Sequence, residues 1–216
     1  MKTPSNSHRL ARSRGLLAIS SALALALCAA LPMQAFAGGG NVQPPKAKPL
    51  HYTLTDMAQA IAYFSVSLNT LPVPPTPFQI LYISATNIFE VKPGTHFFVP
   101  IAFITDSDPI LGEFPVDART SDEYFFDPEQ LGGHDFEIEV DGKVTSLSPK
   151  YVAGPVSTPG LPDGGSHFIQ IGAFLTPLSK GTHTVKIRAT FDGALLAPYF
   201  PGGVYAFEVI YTVIVK

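Results

Sequence analysis

The sequence predicts an all-β protein, an antiparallel β-sandwich with one short N-terminal helix, and three observations lead there. Roughly seven to nine short segments are rich in β-branched and aromatic residues and are bounded by turn formers. Asp141-Gly142, between two such segments, is a strong signal for a two-residue hairpin. After residue 37 only one stretch places apolar residues at helical spacing.

Lys2, Arg9, Arg12 and Arg14 precede an apolar run at 16–33, and Ala35-Phe36-Ala37 supplies the small residues that a signal peptidase needs. Residues 1–37 are therefore expected to be a signal peptide, cleaved before Gly38. The expected location is outside the cytoplasm: secreted, periplasmic or at the cell surface, with no stable membrane insertion after cleavage. Cys28 is the only cysteine, so the 179 residues left from 216 must hold their fold by packing and hydrogen bonds. The leader carries four of the 14 Lys and Arg and none of the 17 acids, so its loss takes the formal charge from −3 to −7. Such a balance argues against nucleic acid and anionic membrane surfaces as partners.

Residues 38–50 are Gly, Pro, Lys and Gln with hardly an apolar side chain, which predicts a flexible linker. A single domain is expected over 51–216. Thr53 or Thr55 caps a helix in which Met57, Ile61, Phe64 and Leu68 form one apolar stripe. Pro72, Pro74, Pro75 and Pro77 then impose an extended crossing. Strands are expected at 79–84, 88–91 and 96–104, with Pro93-Gly94 as a tight turn between the last two. Phe136, Ile138 and Val140 alternate with Glu137, Glu139 and Asp141, a half-buried strand. Another strand is expected at 166–174. In 181–191 the residues Val185, Ile187, Ala189 and Phe191 form a buried face. In 204–216 that face is Tyr205, Phe207, Val209, Tyr211, Val213 and Val215. The last strand is apolar on its other face too, at Val204, Ala206, Ile210 and Ile214, which predicts a strand that is central, or covered on both sides, rather than a free edge.

Pro177-Leu-Ser-Lys-Gly-Thr-His-Thr-Val185 and the run Tyr205-Ala-Phe-Glu-Val-Ile-Tyr-Thr-Val-Ile-Val215 carry a resemblance. With Phe89-Glu-Val-Lys-Pro-Gly-Thr-His-Phe-Phe-Val-Pro-Ile101 upstream, the chain resembles small secreted bacterial proteins of uncharacterised function over about 52–216. The resemblance implies an immunoglobulin-like sandwich and an extracytoplasmic location, and it implies no activity.

Twelve of the 17 acids lie between Asp106 and Asp141, with Arg119 the only Lys or Arg among them. Asp106, Asp108, Asp122 and Glu123 are the carboxylates best placed for calcium, because extracellular modules use loop oxygen ligands of this kind. A solvated acidic loop has the same composition, and no calcium-loop spacing is present, so the loop is the expectation. Glu137 and Glu139 share a strand face, which would serve a glycosidase only with another carboxylate across a cleft. His96, His134, His167 and His183 lack zinc-site spacing, and His183 is expected to pack at a strand start with its ring bonded to a neighbouring loop. Tyr124, Phe125 and Phe126, with Tyr199 and Phe200, offer a carbohydrate platform or, the commoner use, anchors for long loops. No nucleophile elbow, cysteine nucleophile or cofactor motif follows the leader. The expectation is thus an exported, non-catalytic module for binding or surface structure, its partner an unknown protein or carbohydrate outside the cytoplasm. The alternative is a secreted hydrolase using carboxylates of 106–141.

Overall fold

The computed structural model describes residues 41–216, so the expected signal peptide at 1–37 and the first residues of the linker lie outside the described residues. Composition predicts a flexible lead up to residue 50, but residues 41–43 are tied down. Gln43 N donates to Phe174 O at 2.8 Å, Thr176 N donates to Asn41 O at 2.7 Å, and Val42 is buried. A strand end satisfies this backbone, so one apolar side chain is enough to hold it.

Helix α1 (Leu54–Val66) starts at Thr53, whose hydroxyl accepts from Asp56 N while the Asp56 carboxylate accepts from Thr53 N. This reciprocal cap satisfies two of the donors that every helix start leaves free. Met57, Ile61 and Phe64 are buried as their spacing predicts, but the helix ends before Leu68, which has φ 53° and is 78% exposed.

Among the described residues nine strands form two mixed sheets: β1 (Phe78–Ile80), β2 (Ile88–Val91), β3 (His96–Thr105), β4 (Gly133–Val140), β5 (Lys143–Ser146), β6 (Val152–Ser157), β7 (His167–Leu175), β8 (Gly181–Phe191) and β9 (Tyr205–Val215). One sheet runs β1-β3-β7-β6 and the other β2-β9-β8-β4-β5, stacked as an open sandwich. Phe97, Phe98, Phe136, Phe174 and Tyr211 are fully buried in its core. The expected β4–β5 hairpin is present: Val140 pairs with Lys143, and Asp141 and Gly142 take positive φ of 50° and 80°, as a type I′ turn requires.

Two features depart from an antiparallel, one-helix sandwich. The pairs β1–β3 and β2–β9 are parallel. The acidic stretch also contains a second helix, α2 (Ala118–Phe126), capped reciprocally by Asp117 and Thr120 and burying Ser121, Tyr124 and Phe125. Glu123 is exposed and Asp122 half-buried, and the aromatic side anchors the helix to the domain.

The helices cover different parts of the sandwich. Helix α1 packs on β6 and β7, so β7 is buried from Phe168 to Leu175 on both faces. Helix α2 touches β6 of one sheet and β4 of the other, which closes the sandwich along that side. At one end, the loop after α2 is strapped to the loop after β8: Gly193 N donates to Leu131 O and Leu195 N to Gln130 O. A Cβ on Gly193 would lie 2.2 Å from Gln130 O, so only glycine permits this approach.

Candidate functional site

The side of the sandwich away from α2 is built by one chain segment that changes sheets. Strand β1 pairs with β3 only at His96–Phe98, then residues 81–87 cross to the other sheet, where β2 pairs with β9 only at 212–215. The crossing is fixed by Ser84 and Asn87, each accepting the other's backbone N–H through its side chain, at 2.8 and 2.9 Å. As a result, among the described residues, β3 pairs only with β7 over 99–105 and β9 only with β8 over 205–211.

Between these half-free edges lies a groove of about 500 Å³. Ile101 and Phe103 line it from β3, Phe207 and Val209 from β9, and Leu196 and Phe200 where the strapped loops close one end. Among the described residues every lining side chain is apolar or aromatic, and Tyr205 alone contributes a hydroxyl. A smaller hollow of about 270 Å³ shares Ile83, Phe103, Phe207 and Val209 with it and carries the apolar surface on toward Tyr82 and Leu81. Ile83, on the crossing segment, is 61% exposed.

The outer face of the same sheet is charged and ordered. Glu137 pairs with Arg188, and Glu139 lies 3.0 Å from Lys186, which is 3.9 Å from Glu208. Glu208 on β9 stands opposite Arg188 in the register. The ladder runs acid, base, acid across β4, β8 and β9. Donating a hydrogen bond to the Glu137 carboxylate holds the Arg188 guanidinium above its ordinary value.

The residues singled out in the sequence are dispersed and mostly committed to local bonds. Asp106 accepts from Ser166 N and Oγ and from His167 N and bonds His167 Nδ1, all between 2.6 and 2.8 Å. Burial pushes its carboxyl up, but these bonds outweigh it and hold Asp106 well below the usual carboxylate range. Ser166 Oγ and the carboxylate both meet His167 at Nδ1, whereas a nucleophilic triad needs serine and acid on opposite ring nitrogens. This cluster ties the end of β3 to the start of β7. Asp108 is exposed, Glu123 pairs with Arg119, and burial and then Glu123 push the Asp122 carboxyl up. The four carboxylates considered for calcium thus lie on separate loop and helix positions. Among the described residues no three His, Cys, Asp or Glu side chains gather in a way that could hold a metal ion.

Glu137 and Glu139 serve the ladder. His183 bonds Asp141 in the β4–β5 turn at 2.7 Å and Ser179 O at 2.8 Å, the strand-start packing its position predicts. His134 lies near Asp135 and Asp192, and the Nδ1 of His96 is buried without a partner. Of the aromatic candidates, Tyr124 and Phe125 are core anchors, the former donating to Leu111 O. Phe200 instead packs on Tyr205, with ring centroids 4.9 Å apart, at the end of the groove. The sequence signal available for the groove was the apolar content of Phe207 and Val209, which a single buried face also explains.

Comparison with protein-family models, curated proteins and solved structures finds no match. Among the described residues no helix is long and apolar enough to cross a membrane.

Proposed function

We propose that the protein is an exported, non-catalytic module of the immunoglobulin-like kind implied by its sequence resemblance, and that it binds a partner protein through the groove between β3 and β9. The carrying observation is the chemistry of that groove: about 500 Å³, with no charged or amide side chain among the described residues that line it. Sites for small or extended apolar ligands have this character, whereas a sugar would need polar side chains beside the aromatic rings. Of the two partner classes expected from the sequence, protein therefore fits better than carbohydrate. Of the carboxylates on which a hydrolase would draw, Asp106, Asp117, Glu137, Glu139 and Asp141 are engaged in a loop tie, a helix cap, the ladder and a turn, which supports the binding reading.

An apolar fluorescent probe tests it. Anilinonaphthalene sulfonate added to the exported protein is expected to brighten and shift to the blue. Phe207→Glu, which puts a carboxylate in the groove, should weaken that response about tenfold. Ile210→Glu on the outer face is the control and should leave it unchanged. Equal responses from both variants, or none from the native protein, would remove the groove as a binding site.

A further inference from the structure

The groove's chemistry sets what kind of surface enters it, and its strand edges set the shape; the inference here rests on the binding reading above. Along β9, Thr212 N donates away from β8 to Asn87 O. Backbone direction alternates along a strand, so Ala206, Glu208 and Ile210 present their N–H and C=O groups to that same side. Among the described residues no strand pairs with them there. Strand β2 lies in this track beside 212–215, but the crossing at 81–87 carries the preceding chain to the other sheet, and the track beside 205–211 is left open. The open edge is about 20 Å long. An unpaired edge beside an apolar cleft is a template for strand addition, in which main-chain bonds supply affinity and alternate side chains supply specificity.

The two faces of the sheet define those side chains. On the inner side a strand in the track would meet Phe207, Val209 and Phe103. On the outer side it would continue the ladder that runs from Glu137 and Glu139 through Arg188 and Lys186 and stops on an acid, Glu208. The next position in that alternation suits a base, since opposite charges across strands stabilise a sheet and like charges do not. A second copy of this chain fits poorly, because antiparallel pairing about the middle of the edge sets Glu208 opposite Glu208.

We infer that the groove takes an extended peptide segment of a partner protein, apolar at alternate positions and carrying a base between them where it meets Glu208, which adds beside β9 as a further strand of the five-stranded sheet. Fluorescence anisotropy with a labelled peptide alternating lysine with valine or leucine tests this on the exported protein. That peptide is expected to bind. N-methylation of the amides that face β9 should weaken binding about tenfold, the loss of one or two interface hydrogen bonds. Replacing its lysines by glutamates should do the same. Ile210→Pro removes one outward N–H while leaving the β8 ladder intact, a change tolerated at strand edges, and should match the N-methylated peptide.

Equal binding of native and N-methylated peptides would overturn strand addition and leave the apolar groove reading in place. No binding by any peptide would overturn the inference too, and the dye experiment then decides whether the groove binds at all. A dimer seen by sedimentation, and lost in Ile210→Pro, would overturn it in favour of a second copy. The peptide comparisons use unaltered protein and hold whether or not the proline variant folds.

Discussion

Asp106 takes four hydrogen bonds from two consecutive residues, Ser166 and His167, some 60 positions away. Those bonds favour the ionised carboxylate, so its folded value is depressed below the ordinary 3.8. A depressed carboxylate contributes stability that is present above the ordinary value and lost as pH falls through the folded one. Asp106→Asn should therefore cost about 1.5–3 kcal/mol at neutral pH, the scale of hydrogen bonds to a charged group. In urea unfolding, the gap between the variant and the native protein should narrow well below pH 4; a gap that stays constant would show that the charge is immaterial. Pairings of this kind are invisible in a sequence, because nothing local marks Ser166 as the partner of Asp106. The bond from His183 to a neighbouring loop was legible, since strand alternation places its ring beside buried Val185 at a strand start.

At the level of elements, local chemistry that repeats along one segment could be read, and chemistry diluted by composition could not. The alternation of β8 and the Asp141-Gly142 turn translate directly into structure. Helix α2 did not, because counting acids hides the spacing. Asp117 and Thr120 form a cap, Arg119 and Glu123 pair one turn apart, and Ser121, Tyr124 and Phe125 share a face. Strand β9 shows the opposite error. Its alternation predicts one uniformly buried face, yet only Tyr211, Val213 and Val215 are fully packed, while Tyr205, Phe207 and Val209 line the groove. Tyr211→Ala, from a ring 1% exposed, should cost about 3–5 kcal/mol as large core truncations do. Phe207→Ala should cost only about 1–2 kcal/mol, the value of a half-buried ring. Equal losses in thermal unfolding would mean that the groove is filled.

Over the whole molecule, the two-layer β architecture follows from the number and patterning of short apolar segments, but the parallel pairs do not. Short strands such as β1 and β2 are placed by the neighbours that tertiary packing leaves available, which no property of residues 78–91 expresses. The groove exists because those two strands belong to different sheets, so the site stayed hidden for the same reason as the topology.

The β2–β9 pair also governs how the domain forms and comes apart. It joins segments separated by most of the described chain, with Phe89 held against Tyr82 and Tyr211 at centroid distances of 5.4 and 6.0 Å. Closing so long a loop costs chain entropy before the contact returns anything, and domains dominated by such contacts fold in milliseconds to seconds. Docking of β2 is expected to follow the rate-limiting step, so Phe89→Ala should speed unfolding and leave the folding rate nearly unchanged in a denaturant chevron. A variant that slowed folding instead would place β2 in the nucleus. If β2 docks late and leaves early, the kinetic lifetime of the native state would depend on a four-residue strand whose loss would expose a further stretch of the β9 edge.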